Sequence, residues 1–158
     1  LALAMPDATS LAFDTDPKAQ AACVQLAEKN EVSDRVEVGE LFSPDNFADY
    51  EHESTLVFCD IEGAELELLD PEIAPALKSM DLIVESHECL IPGITDTLII
   101  RFSAKHDISL ILDNGSRHLD NDPAWFKHLS HLDQLLATWE CRSGPTPWLV
   151  MSAKSQVV

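Results

Sequence analysis

The chain has 158 residues, 46% of them hydrophobic, which predicts one folded domain with a substantial core rather than a disordered segment. Its 28 acidic and 10 basic residues give a formal net charge of −18, which argues against nucleic acid and anionic membrane surfaces as partners. No apolar run approaches the ~20 residues of a membrane-spanning helix. The first residues lack the basic segment of a signal peptide.

The start of the chain suggests that it is part of a longer protein, and its cysteines suggest a reducing compartment. Residues 1–5 suit the last turn of a helix that Pro6 ends, so we predict that sequence is missing upstream and that the chain is a fragment. The four cysteines are widely spaced and form no C-x-x-C pair, which is typical of reduced, mostly buried thiols in the cytoplasm: Cys23, Cys59, Cys89 and Cys141.

Strand patterns alternate with helix patterns along the chain. The predicted strands cover residues 8–14, 35–39, 55–60, 81–85, 108–113 and 148–152. The predicted helices cover residues 17–30, a short stretch from 64, 95–106, and a segment that begins at Asp122-Pro123. This alternation predicts an α/β, Rossmann-like, doubly wound and mostly parallel sheet. The last strand, reached through a Pro-rich loop, can be antiparallel at or near an edge.

Apolar spacing predicts which faces are buried. The continuous apolar run at residues 56–59 predicts a central strand covered on both faces. In the first helix the predicted buried stripe is Ala19, Ala22, Cys23, Leu26 and Ala27. In the helix of residues 95–106 the inward residues are Ile94, Leu98, Ile99 and Phe102. The last helix would bury one side formed by Trp125, Phe126, Leu129, Leu132 and Leu136.

Four of the predicted strands end in a carboxylate. These residues are Asp14, Asp60, Glu85 and Asp113. Because parallel strands share one carboxyl edge, and ligands of open α/β sheets bind there, we expect these acids to gather along one site. The alternative for each acid taken singly is a helix cap or a solvated loop.

Two segments resemble a known family. A-F-D-T-D-P at residues 12–17 and C-D-I-E-G-A-E at residues 59–65, with Asn30, are similar to class I S-adenosylmethionine-dependent methyltransferases. The D-x-E-G-x-E element, with E-x-H at Glu85 and His87, is most similar to the FkbM-like branch. The resemblance covers most of the chain, from the second strand of that fold to its last.

The resemblance implies a role for individual residues. Asp14 would accept hydrogen bonds from the cofactor ribose, and Glu40 and Leu41 would line the adenine. Asp60 would face the methionine part and the acceptor. The acceptor side would include Glu62, Glu85 and His87. Since histidine titrates near neutral pH, His87 is the predicted base, with Glu85 and Asp60 as its catalytic partners. The alternative for His87 is a surface histidine in a polar loop.

One departure from the family concerns the cofactor. Such methyltransferases carry a glycine-rich G-x-G-x-G turn after their first strand, and the five glycines of this chain form no such cluster: Gly39, Gly63, Gly93, Gly115 and Gly144. The first strand is missing with it, so the sheet is predicted to be truncated at the N-terminus. S-adenosylmethionine binding by residues 1–158 alone should then be weak or absent, and the predicted function belongs to the intact protein.

The leading hypothesis is O-methyl transfer to a small hydroxylated or sugar-like acceptor, with no metal ligand set. A second hypothesis is a non-catalytic α/β domain used in binding or assembly, which the missing glycine turn favours for this chain alone. A third is a Mg²⁺-dependent phosphoryl-transfer or hydrolase domain that uses Asp60, Glu62, Glu85, His87 and Asp113. His118, His128 and His131 complete no metal motif and are expected on helix surfaces. The sequence leaves the oligomeric state open.

Overall fold

A computed structural model describes residues 1–50, 54–112, 123–139 and 143–155. The chain divides into two compact units, residues 1–46 and residues 47–158. The organisation of both units into a single domain, which the composition predicts, stays a prediction. Among the described residues, no helix is long and apolar enough to cross a membrane.

Unit 1 is a βαβ segment. It consists of β1 (Ser10–Phe13), α1 (Pro17–Lys29) and β2 (Val36–Gly39), and the two strands pair in parallel. The carboxylate of Asp16 accepts a hydrogen bond of 2.9 Å from the backbone N–H of Lys18, and Pro17 occupies the first turn. An N-cap followed by proline starts a helix efficiently, so the predicted helix start is confirmed.

The buried face of α1 is narrower than its apolar residues predict. Ala27 is buried, Ala19 and Cys23 are half-buried, but Ala22 is exposed and Leu26 is 62% exposed. The buried and half-buried residues are therefore four positions apart and form one narrow line along the helix, where it contacts β2. The two strands of this sheet bury only a narrow line of helix residues. The wider stripe that the sequence predicts would need a sheet with more strands.

Unit 2 contains the larger sheet. Its elements are β3 (Leu56–Cys59), α2 (Glu65–Leu68), β4 (Asp81–Glu85), α3 (Ile94–Phe102), β5 (His106–Ile111), α4 (Ala124–Lys127), α5 (His131–Ala137) and β6 (Trp148–Ala153). The strand order is β3-β4-β6-β5. β3 is parallel to β4, and β6 is antiparallel to both β4 and β5, so three of these four strands run in one direction. The α/β class and the antiparallel last strand, one position in from an edge, are confirmed.

The prediction that residues 56–59 form a central strand covered on both faces was wrong. The described strands form two sheets, and β3 is an edge strand of the second. Leu56 is 37% exposed and Phe58 is 49% exposed, whereas Leu82 and Val84 on β4 are fully buried. The position of a strand in its sheet depends on which other strands pair with it, and a short apolar run does not specify those partners.

The core of unit 2 lies between α3 and the sheet. Its fully buried side chains include Leu77, Met80, Leu82, Ile94, Leu98, Phe102, Leu149 and Met151. Three of the four predicted inward residues of α3 are therefore buried, and Ile99 is half-buried. The helix ends at Phe102 rather than at His106, which begins β5 and places its Nε2 2.9 Å from the carbonyl oxygen of Met80.

The helix predicted from Asp122-Pro123 is two short helices. Ser130 separates them with an extended backbone, and its hydroxyl accepts a hydrogen bond of 3.3 Å from the N–H of Asp133 as the N-cap of α5. Because the two helices do not continue one another, the predicted apolar side is not a single face. Phe126 is buried, whereas Trp125, Leu132 and Leu136 are exposed.

Leu98 tests the packing of α3. Replacing this fully buried residue in Leu98→Ala should lower the free energy of unfolding by about 2–5 kcal/mol, since it removes buried methyl groups and leaves a cavity. Ile100, on the same helix, is 75% exposed, and Ile100→Ala should change the free energy by less than about 0.5 kcal/mol. Urea unfolding measures the free energy of unfolding of both variants. Equal losses of this free energy would contradict the buried face assigned to α3.

Candidate functional site

The carboxyl ends of β3 and β4 bring three predicted site residues together. In the parallel register Cys59 lies opposite Val84, so Asp60 and Glu85 follow on neighbouring strands. One ligand atom each of Asp60, Glu85 and His87 lie within 4.8 Å of one another. The expected gathering of strand-end side chains is thus present for these two strands, while their catalytic roles stay predictions.

His87 is at the centre of this cluster. It is fully buried, so the alternative of a surface histidine is wrong. Its Nδ1 lies 2.5 Å from Oε1 of Glu65. Its Nε2 lies 3.5 Å from Oδ1 of Asp60 and 3.4 Å from Oε2 of Glu62. The imidazole therefore has a close carboxylate on one nitrogen and two more distant carboxylates on the other.

Glu65 is the site residue that sequence reasoning missed. It is the first residue of α2 and is fully buried, and its Oε1 also accepts a hydrogen bond of 3.2 Å from the N–H of Gly63. Leu69, one turn later, is fully buried as well. The i, i+4 spacing of the two residues places Glu65 on the inward face of the turn, and this spacing is the signal that could have identified it.

The turn between β3 and α2 uses left-handed backbone at two consecutive residues. Glu62 has φ = 52° and Gly63 has φ = 104°. Glycine adopts this conformation without steric cost, so the predicted tight turn at Gly63 is confirmed. A glutamate there is uncommon, and such residues are found where the surrounding structure imposes them. The exposed Glu62 side chain is thereby held beside Nε2 of His87.

The loop after His87 is tied to the start of α3 by Glu88. One carboxylate oxygen of Glu88 accepts from the N–H of Gly93 at 2.6 Å, and the other accepts from the N–H of Thr95 at 3.1 Å and from its hydroxyl at 2.7 Å. These hydrogen bonds lower the pKa of Glu88, and the one from Gly93 has the largest effect. The buried Ser86 hydroxyl lies 2.7 Å from that of Thr95, which ties the loop a second time.

Cys59, the last residue of β3, is a core residue as predicted. Burial, followed by the nearby carboxylates of Glu65 and Asp60, raises the pKa of its thiol to about 12. A thiol with this pKa stays protonated near neutral pH, so Cys59 is not a nucleophile.

The other predicted cofactor residues lie in unit 1. The N–H of Asp14 donates to the carbonyl oxygen of Gly39 at 3.3 Å, so Asp14 lies beside the chain that continues to Glu40 and Leu41. All three residues are exposed. Unit 1 thus brings three predicted cofactor residues to one edge of its own sheet, and Asp60 belongs to unit 2. Asp113, His118 and Cys141 lie outside the described residues.

The comparisons with known proteins identify the fold. No protein-family model and no curated protein matches the sequence. A solved structure that matches is a domain from Corynebacterium diphtheriae, provisionally described as a precorrin-6Y C5,15-methyltransferase. The match has a TM-score of 0.52 and 17% sequence identity, and covers 94% of this chain and 75% of that one. The chain therefore has a Rossmann-like α/β fold that resembles the fold of this domain.

The cap formed by Glu88 predicts a pH dependence of stability. Because the pKa of Glu88 is lowered in the folded protein, its stabilising contribution is complete above the unfolded value near 4.5 and is lost as the pH falls through the folded value. Glu88→Gln should therefore destabilise the protein most near pH 7, and the difference from the unmodified protein should shrink below about pH 4.5.

Urea unfolding at several pH values measures this difference. Glu67→Gln is the matched control, since Glu67 is exposed on α2. A difference for Glu88→Gln that does not change with pH would contradict the charged cap.

Proposed function

We propose that this chain belongs to an S-adenosylmethionine-dependent methyltransferase of the FkbM-like branch, which methylates a hydroxyl group of a small or sugar-like acceptor. The observation that carries the proposal is the meeting of Asp60, Glu85 and His87 at the carboxyl ends of β3 and β4, in a fold shared with a methyltransferase domain. This edge of an open α/β sheet is where ligands bind.

The residues of unit 1 fit the nucleoside part of the cofactor. Oδ1 of Asp14 accepts one hydrogen bond, from the N–H of Asp16 at 2.8 Å, and the carboxylate is exposed. A carboxylate has further acceptor positions for two neighbouring ribose hydroxyls. Leu41, exposed on the neighbouring segment, offers apolar surface for an adenine ring, and Glu40 precedes it. This carboxylate acceptor and the adjacent apolar surface therefore suit the nucleoside part of S-adenosylmethionine.

The cluster in unit 2 fits a role in binding and deprotonating the hydroxyl group that accepts the methyl group. When bound, S-adenosylmethionine would supply a methyl group on a positively charged sulfur, and the sulfur would leave as the neutral thioether of S-adenosylhomocysteine when the acceptor oxygen takes the methyl group. The acceptor hydroxyl loses its proton as the new C–O bond forms. His87 is the group proposed to take this proton at Nε2, and the partly exposed Asp60, 3.5 Å away, is proposed to orient the hydroxyl. The exposed side chain of Glu62 has to move aside as the acceptor enters.

Asp14 tests the cofactor part of the proposal. In the full-length protein, Asp14→Asn should weaken S-adenosylmethionine binding by about 10–100-fold, because hydrogen bonds to a charged group contribute about 1.5–3 kcal/mol. Isothermal titration measures the affinity, and Asp34→Asn, an exposed acid of the same unit, is the control. Unchanged affinity in Asp14→Asn would contradict the assignment of Asp14. No binding by the unmodified full-length protein would favour a non-catalytic binding or assembly domain.

His87 tests the chemical part. His87→Gln should lower kcat for methyl transfer by about 10²–10⁴-fold, the usual contribution of a positioned base, and should leave S-adenosylmethionine affinity within about threefold. The rate of S-adenosylhomocysteine release is measured with a panel of hydroxylated and sugar acceptors. His131→Gln is the control, because His131 is exposed at the start of α5. A kcat that His87→Gln leaves unchanged would exclude His87 as the base.

A second candidate function follows from the same cluster. Two carboxylates and an imidazole within 4.8 Å of one another are ligands that a divalent cation accepts, as in a Mg²⁺-dependent phosphoryl-transfer or hydrolase domain. Stabilisation against heat by Mg²⁺ or Mn²⁺, lost in Asp60→Asn, would favour this candidate.

A further inference from the structure

The two nitrogens of His87 differ in their surroundings. Nδ1 lies 2.5 Å from Oε1 of Glu65, within hydrogen-bond distance. Nε2 lies 3.5 Å from Oδ1 of Asp60 and 3.4 Å from Oε2 of Glu62, so these two carboxylates are farther from the ring than Glu65 is. The geometry therefore places a ring proton between Nδ1 and Glu65.

The second partner of Glu65 indicates in which direction that bond runs. The oxygen that faces Nδ1 also accepts a hydrogen bond from the backbone N–H of Gly63. Because Oε1 already acts as an acceptor for this N–H, we assign it the same role towards Nδ1, which makes the ring nitrogen the donor. Both residues are fully buried, and Oε2 of Glu65 has no hydrogen-bond partner among the described residues, so the contacts of Oε1 with Nδ1 and Gly63 are the ones that offset the burial of this carboxyl group.

We propose that Glu65 is a positioning residue, which holds the proton of His87 on Nδ1 and stabilises the positive charge that the ring acquires when Nε2 takes a proton. Nε2, on the side of Asp60 and Glu62, is then the nitrogen that acts on the acceptor. This inference deepens the proposed function and rests on it for the role of His87 in methyl transfer. The placement of the ring proton can be measured without any methyl transfer.

Long-range ¹H–¹⁵N correlation spectra of the histidine rings test the placement directly. The unmodified protein should show His87 with a proton on Nδ1, either as the neutral Nδ1–H form or as imidazolium. Glu65→Leu removes the acceptor and should shift the ring toward the Nε2–H form. Glu67→Gln, on the same helix, should leave the spectrum of His87 unchanged. His87→Gln identifies the His87 signals by their loss.

Two results would overturn the proposal. One is a neutral Nε2–H form of His87 in the unmodified protein. The other is that Glu65→Leu leaves the position of the ring proton unchanged, in a variant whose remaining signals are those of a folded protein.

Kinetics separate an electrostatic role of Glu65 from a purely structural one. Glu65→Gln keeps an oxygen acceptor for Nδ1 and Gly63 but removes the charge. Its kcat should fall by about 10–100-fold, the usual effect of losing a residue that orients a functional histidine, with little change in KM for the acceptor. Adding Glu65→Gln to His87→Gln should cause no further loss, because the two residues act as one unit. An unchanged kcat in Glu65→Gln would refute the electrostatic role even where the spectra confirm the placement.

Discussion

The site in unit 2 depends on the hydrogen bond between Glu65 and His87, which joins the start of α2 to the segment that follows β4. Both side chains are fully buried, and burying a carboxylate without a partner costs several kcal/mol. The bond therefore fixes the position of the turn that carries Glu62 and of the segment that carries His87. Asp60 and Glu85 reach the same place through the parallel pairing of β3 and β4.

The arrangement follows from the way an open α/β sheet ends. Each of the parallel strands has its last residue at the same edge, and the turn into the next helix places polar groups there. In the turn between β3 and α2, Glu62 and Gly63 adopt left-handed backbone conformations. In the turn between β4 and α3, Glu88 accepts hydrogen bonds from backbone N–H groups at the start of α3. The cluster is thus held by backbone geometry and by side-chain hydrogen bonds, which keeps a histidine aligned between several carboxylates.

Much of this could be predicted from the sequence, and the failures have physical causes. The six strands follow from local apolar runs, and the strand-end acids follow from the carboxylate that ends four of these runs. The edge position of β3 and the exposed side of α1 depend on which elements are neighbours in space, which local spacing does not specify. Glu65 was missed because a glutamate in the first turn of a helix is normally solvated, and its burial depends on the histidine that arrives 22 residues later.

The coupling between Glu65 and His87 is the most direct measure of this account. A double-mutant cycle with Glu65→Leu, His87→Leu and the combined variant, followed by urea unfolding, isolates the interaction energy of the pair. We expect a coupling of about 1.5–3 kcal/mol, the contribution of a buried hydrogen bond to a charged group. Losses that add to within about 0.5 kcal/mol would show that the two side chains act independently, and would contradict the site described for unit 2.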